Sequence, residues 1–76
     1  MVKEHDRVVL KISRPDEGLE PGDVGSVVHV YGDERAYEVE FTTLDGRTAA
    51  VVTLEAEDVR AVTGSDITHT RALHPV

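Results

Sequence analysis

The chain has no cysteine, no tryptophan and only two lysines, Lys3 and Lys11. Each shortage excludes something. Without cysteine there are no disulfide staples and no zinc–thiolate centres, so a domain of 76 residues must hold together by packing alone. That fits a reducing, cytoplasmic setting better than secretion. Two tyrosines and one phenylalanine are too few aromatics to line a groove for a proline-rich helix. Bases are scarce: eight Lys and Arg face fifteen Asp and Glu, giving a net charge of −7. Nucleic-acid binding draws much of its affinity from cations that neutralise phosphates, so this balance disfavours DNA and RNA. An acidic surface points instead to a basic protein face. No run approaches the ~20 apolar residues of a membrane span. The opening "MVKEHDRVVLKIS" carries charges throughout, unlike a signal peptide.

The residues that are present alternate like strands. In "RVVLKI", Val8, Leu10 and Ile12 share one face, and Arg7 and Lys11 mark the other. "SRPDEGLEPGD" is a loop by composition, and Leu19 is its only large apolar residue, placed to pin it. "DVGSVVHVY" is β-branched, with Gly25 marking a bulge or a close backbone approach. Its Val24, Val28 and Val30 are assigned to the core, and His29, between Val28 and Val30, to the surface. After the turn "GDER", Tyr37, Val39 and Phe41 alternate with Glu38 and Glu40. "LDG" is a hairpin turn that uses the left-handed freedom of Gly46. "RTAAVVTL" follows as a fourth strand, "EAED" as one helical turn and "VRAV" as a short fifth strand.

Five short strands, a long loop after the first and a helical turn before the last predict an all-β fold. Its expected form is a small five-stranded SH3-like barrel over residues 1–62. An open OB-type barrel usually needs longer strands and an inserted helix. Residues 63–76 lose all periodicity and read as a frayed tail, whose Ile67 and Leu73 could dock back or grip a partner. Val9, Val27 and Val51 offer a second apolar face that a homodimer could use.

The succession "DRVVL", "GLEPGDVGSVVHVY", "AYEVEF" and "VVTLEAEDVRAV" resembles an uncharacterised bacterial family of small single-domain SH3-like proteins, a domain of unknown function. The resemblance runs from about Glu4 to Val62 and implies the barrel. It also implies a protein-binding role of antitoxin or accessory-subunit type. "EPGDVGSVVHV" is similar, more loosely, to the KOW motif of ribosome-associated proteins, which is the alternative reading as an RNA-binding domain. That motif sets bases around its glycine, where this chain has Glu20, Asp23 and Ser26.

Candidate contacts follow from the polar fringe. Asp16, Glu17, Glu20 and Asp23 form an acidic stretch with no Lys or Arg between Arg14 and Arg35. In SH3 domains the corresponding long loop carries acids that engage a ligand's arginine or lysine. The same acids would serve equally to keep a small barrel soluble. Tyr31 ends its strand as an interface residue of the favoured type. Glu38 and Glu40 share an outward face, with Arg47 of the next strand a possible neighbour.

An enzyme would need an activated nucleophile or carboxylates of divergent acidity. Ser13, Ser26 and Ser65 sit in no nucleophile motif, and "GDVG" lacks the Lys-Ser/Thr of a phosphate loop. His69 and His74, like His5 beside Asp6, offer too few fixed ligands for zinc. The chain is therefore expected to be a non-catalytic module without cofactor or metal. Its candidate partner-binding residues are Asp16, Glu17, Glu20, Asp23, Tyr31, Glu38 and Glu40.

Overall fold

The computed structural model describes residues 2–73. His74 of the histidine pair considered above lies outside them. Five strands form one antiparallel sheet: β1 (Arg7–Leu10), β2 (Val24–Val30), β3 (Ala36–Thr42), β4 (Thr48–Glu55) and β5 (Val59–Ala61), in the order β4-β3-β2-β1-β5. The helical content is two single 3₁₀ turns, Pro15–Glu17 and Ala56–Asp58. The all-β, five-stranded expectation holds, with the helical turn where "EAED" placed it. That turn is capped reciprocally, the Glu55 amide donating to Asp58 Oδ2 at 3.1 Å. Among the described residues, no helix is long and apolar enough to cross a membrane.

Clean alternation places β3 and β4. Tyr37, Val39 and Phe41 point into the core, opposite Val52 and Leu54 of β4. Val8 and Leu10 of β1, Val59 of β5 and Val27 of β2 complete it. Leu19 is 2 % exposed, so the long loop is pinned as its composition predicts. Ile12 lies beyond the end of β1 and packs against the core only partly. The hairpin between β3 and β4 turns at Gly46, φ 89°, and closes with the Thr43 amide donating to the Arg47 carbonyl at 2.8 Å.

β2 corrects the sequence assignment. Val24 and Val28 are 48 % and 43 % exposed, and Val27, assigned to an outer face, is fully buried. The cause is a bulge. Val27 pairs with Val39 and Val30 with Tyr37, so β2 spends three residues where β3 spends two. Inward residues are therefore Gly25 and Val27 before the bulge and Val30 after it. Gly25 itself is a close approach, packed on β3, while the bulge lies further along. Of the proposed second apolar face, only Val9 and Val51 remain outside the core.

Candidate functional site

The loop between β1 and β2 is an ordered arm. Arg14 and Leu19 exchange backbone hydrogen bonds of 3.0 Å in both directions, and the Pro15–Glu17 turn spans the tip. Gly18, at φ 72°, supplies the left-handed step that returns the chain to Leu19. A second turn follows, closed by the Asp23 amide donating to the Glu20 carbonyl at 3.1 Å. Pro21 and Gly22 are its central residues, and Gly22 takes φ 99°, the value a type II turn demands there. The Asp23 carboxylate then accepts the Glu20 amide at 2.9 Å. Backbone geometry thus brings Glu20 and Asp23 together at one corner.

Two arginines meet these acids. Arg14 Nε donates to Glu17 Oε1 at 2.9 Å, and its Nη1 donates to the Thr53 carbonyl on β4 at 3.4 Å. Arg71, in the C-terminal segment, donates Nε to Asp23 Oδ1 at 2.9 Å and Nη2 to Asp23 Oδ2 at 2.7 Å. Its Nη2 also donates to the Gly18 carbonyl at 2.9 Å, and Nη1 lies 3.6 Å from Glu20 Oε2. This is a bidentate guanidinium–carboxylate pair with an added backbone acceptor, the strong form of such contacts. Partial burial pushes the Asp23 carboxyl up, but the hydrogen bonds from Arg71 and Glu20 and the Arg71 charge outweigh it and leave Asp23 below its ordinary value. Arg71 is raised, chiefly by its bonds to Asp23.

The second group of candidates lies on the outer face of the sheet. Glu38 Oε1 accepts the Tyr31 hydroxyl at 3.1 Å and the Thr53 hydroxyl at 2.6 Å. The His29 ring stands edge-on to Tyr31, centroids 4.7 Å apart, with Nδ1 3.8 Å from Glu4 Oε2. Glu40 Oε2 accepts the Thr48 hydroxyl at 2.7 Å. Arg47 is not the neighbour of these carboxylates: it pairs with Asp45 two residues away, at 3.1 Å. The local hairpin partner wins because it needs no reach across the strands.

The seven candidates divide accordingly. Tyr31 and Glu38 are in direct contact, Glu40 lies on the same strand face, and Asp16 is exposed on the 3₁₀ turn. Glu17, Glu20 and Asp23 each face an arginine of the same chain, Glu17 facing Arg14 and the other two Arg71. Thr53 joins loop to sheet, its carbonyl taking Arg14 and its hydroxyl holding Glu38. Sequence reasoning missed both Thr53 and Arg71. The signal for Arg71 was its standing as the only Lys or Arg in residues 63–76, with an uncompensated acidic loop elsewhere.

Among the described residues no three His, Asp or Glu side chains converge to hold a metal ion. No curated protein and no solved structure matches the chain. A family match covers residues 4–61, the whole sheet, and this chain belongs to that family, the domain of unknown function DUF4926.

Proposed function

We propose that this protein is a non-catalytic, cytoplasmic binding module that docks a basic face of another protein. The observation that carries this reading is the Tyr31–Glu38–Thr53 cluster. An exposed aromatic ring is held by its hydroxyl to a carboxylate, and a second hydroxyl fixes that carboxylate from the neighbouring strand. Aromatic residues held in advance supply contact area at low entropic cost, and a pre-positioned carboxylate adds recognition of cations. The β1–β2 loop reaches the strand that carries the cluster through Arg14, which donates to the Thr53 carbonyl, while the Thr53 hydroxyl holds Glu38. The net charge of −7 favours the same class of partner by long-range attraction.

The sheet order, the long first connection and the 3₁₀ turn before β5 support the finer description of the fold as an SH3-like barrel. An antitoxin or accessory-subunit role is one version of this function. It rests on the family resemblance alone.

The test is purification from native cells with an affinity handle. A basic protein is expected to co-elute in stoichiometric amount and to be lost from Tyr31→Ala and Glu38→Gln variants. Absence of any stoichiometric protein at both low and moderate salt would sink the proposal. Fluorescence anisotropy with structured and single-stranded RNA provides the other arm. Micromolar binding that weakens steeply with salt would favour an RNA ligand instead.

A further inference from the structure

The Arg71–Asp23 pair is the least exposed ion pair among the described residues, with side chains 24 % and 18 % accessible. It joins positions 48 apart in sequence. The segment that brings Arg71 there is otherwise bare: residues 63–70 are all exposed, and Ile67 is 92 % so. A second pin holds its start, where Arg60 grips Asp66 at 2.7 Å and Asp66 Oδ2 accepts the Thr63 amide at 2.7 Å. Between these two pins, nothing apolar fastens the segment to the core. It is a strap tied at two polar points.

What the strap covers is one of the acidic corners assigned above to a partner. The corner is shaped for a guanidinium. Asp23 offers both oxygens to adjacent donors, the Gly18 carbonyl takes a further N–H, and Glu20 adds charge at 3.6 Å. A lysine ammonium, a compact charge with no planar fork, could not satisfy the same set of acceptors together. A shallow depression bordered by Ser13, Pro15 and Leu19 opens beside the guanidinium and gives access from solvent.

We propose that the C-terminal strap is a self-inhibitory plug: Arg71 occupies an arginine seat on the β1–β2 loop, and a partner's arginine takes that seat when the strap is displaced. This rests on the protein-binding reading above and adds how the site is regulated. The energetics fit a switch of this kind. A short tether gives Arg71 an effective concentration on the order of millimolar at the corner. A lone competing arginine is therefore held off. A partner that also engages Tyr31 and Glu38 gains contacts that Arg71 does not make, and it displaces the strap.

The experiment is an amide NMR titration of the full ¹⁵N-labelled chain with N-acetyl-arginine amide and, separately, N-acetyl-lysine amide. Wild type, Arg71→Gln and the double variant Arg71→Gln/Asp23→Asn are compared. Arg71→Gln should show saturable shifts at Gly18 and Asp23, with arginine affinity at least about tenfold above wild type. Lysine should bind at least about fivefold more weakly than arginine, and the double variant should lose the site. Equal responses of wild type and Arg71→Gln, or of arginine and lysine, would overturn the proposal. So would a folded double variant that still binds. Unfolding of Arg71→Gln would also overturn it, because a strap that opens in use cannot be required for the fold.

The two proposals fail separately. A basic partner captured equally by wild type and Arg71→Gln, with no arginine site in the spectra, leaves the binding module and removes the plug. An arginine site with no basic partner does the reverse.

Discussion

Gly25 of β2 lies directly against Val39 of β3: a β-carbon at Gly25 would meet Val39 Cγ1 at 2.6 Å. The Glu40 carbonyl and the Phe41 ring would each stand 2.9 Å from it. No side chain can occupy that position without moving backbone, so the glycine sets how closely the two strands approach. Gly25→Ala should therefore destabilise the domain by about 1–3 kcal/mol through overpacking. Urea denaturation would read this as a lower midpoint at unchanged slope. An unaltered midpoint would mean that the strands can separate freely at this point.

The bulge in β2 makes a paired prediction about adjacent valines. Val27→Ala empties a fully buried site beside Val39 and should cost about 2 kcal/mol. Val28→Ala alters an exposed position and should stay within about 0.5 kcal/mol. Thermal or urea unfolding of the two variants distinguishes the phases directly. The opposite ranking would restore the simple alternation read from the sequence.

This pair also shows what the sequence could and could not disclose. β3 was legible because charged residues separate Tyr37, Val39 and Phe41, and only one phase buries the aromatics. β2 has valine at positions 24, 27, 28 and 30, so neither face contrasts with the other and hydropathy does not fix the phase. The extra residue at the bulge is set by pairing with β3, which is tertiary information. The acidic loop was legible as a loop, and Leu19 as its pin, since a single large apolar residue among turn formers has few other uses. The partner of Asp23 was not legible. A tail without periodicity announces only that it joins no strand, and an ion pair spanning 48 positions leaves no local pattern.

Leu19 fixes the geometry of the acidic surface. It is the only residue of the β1–β2 loop in the buried core cluster, and it carries the arm on which Asp16, Glu17 and Glu20 are displayed. Leu19→Ala should cost about 2–5 kcal/mol and loosen the arm as well. Limited proteolysis is expected to cut first between Ser13 and Asp23 in this variant, under conditions where wild type stays intact. Cleavage confined to the β3–β4 hairpin would show that the arm holds its shape without the pin.

The strap should respond to acid in a defined window. Asp23 is held below its ordinary value by Arg71 and the Glu20 amide, and Asp66 is held further down by Arg60 and the Thr63 amide. A carboxyl depressed on folding contributes stability that is fully present above its unfolded pKa, about 3.9, and is lost as pH falls through the folded value. The strap is therefore expected to stay closed from pH 7 to pH 5 and to open only below about pH 4. Amide exchange and chemical shifts at Gly18 and Arg71 would follow the opening, while the β3 amides report whether the sheet remains intact. Both pins are polar and the core cluster includes none of the described residues 63–73, so the strap should open before the sheet unfolds. Arg71→Gln should abolish the acid transition at Gly18 and leave that of the sheet in place. Opening already between pH 7 and pH 5 would show that Asp23 is not the group that holds the strap.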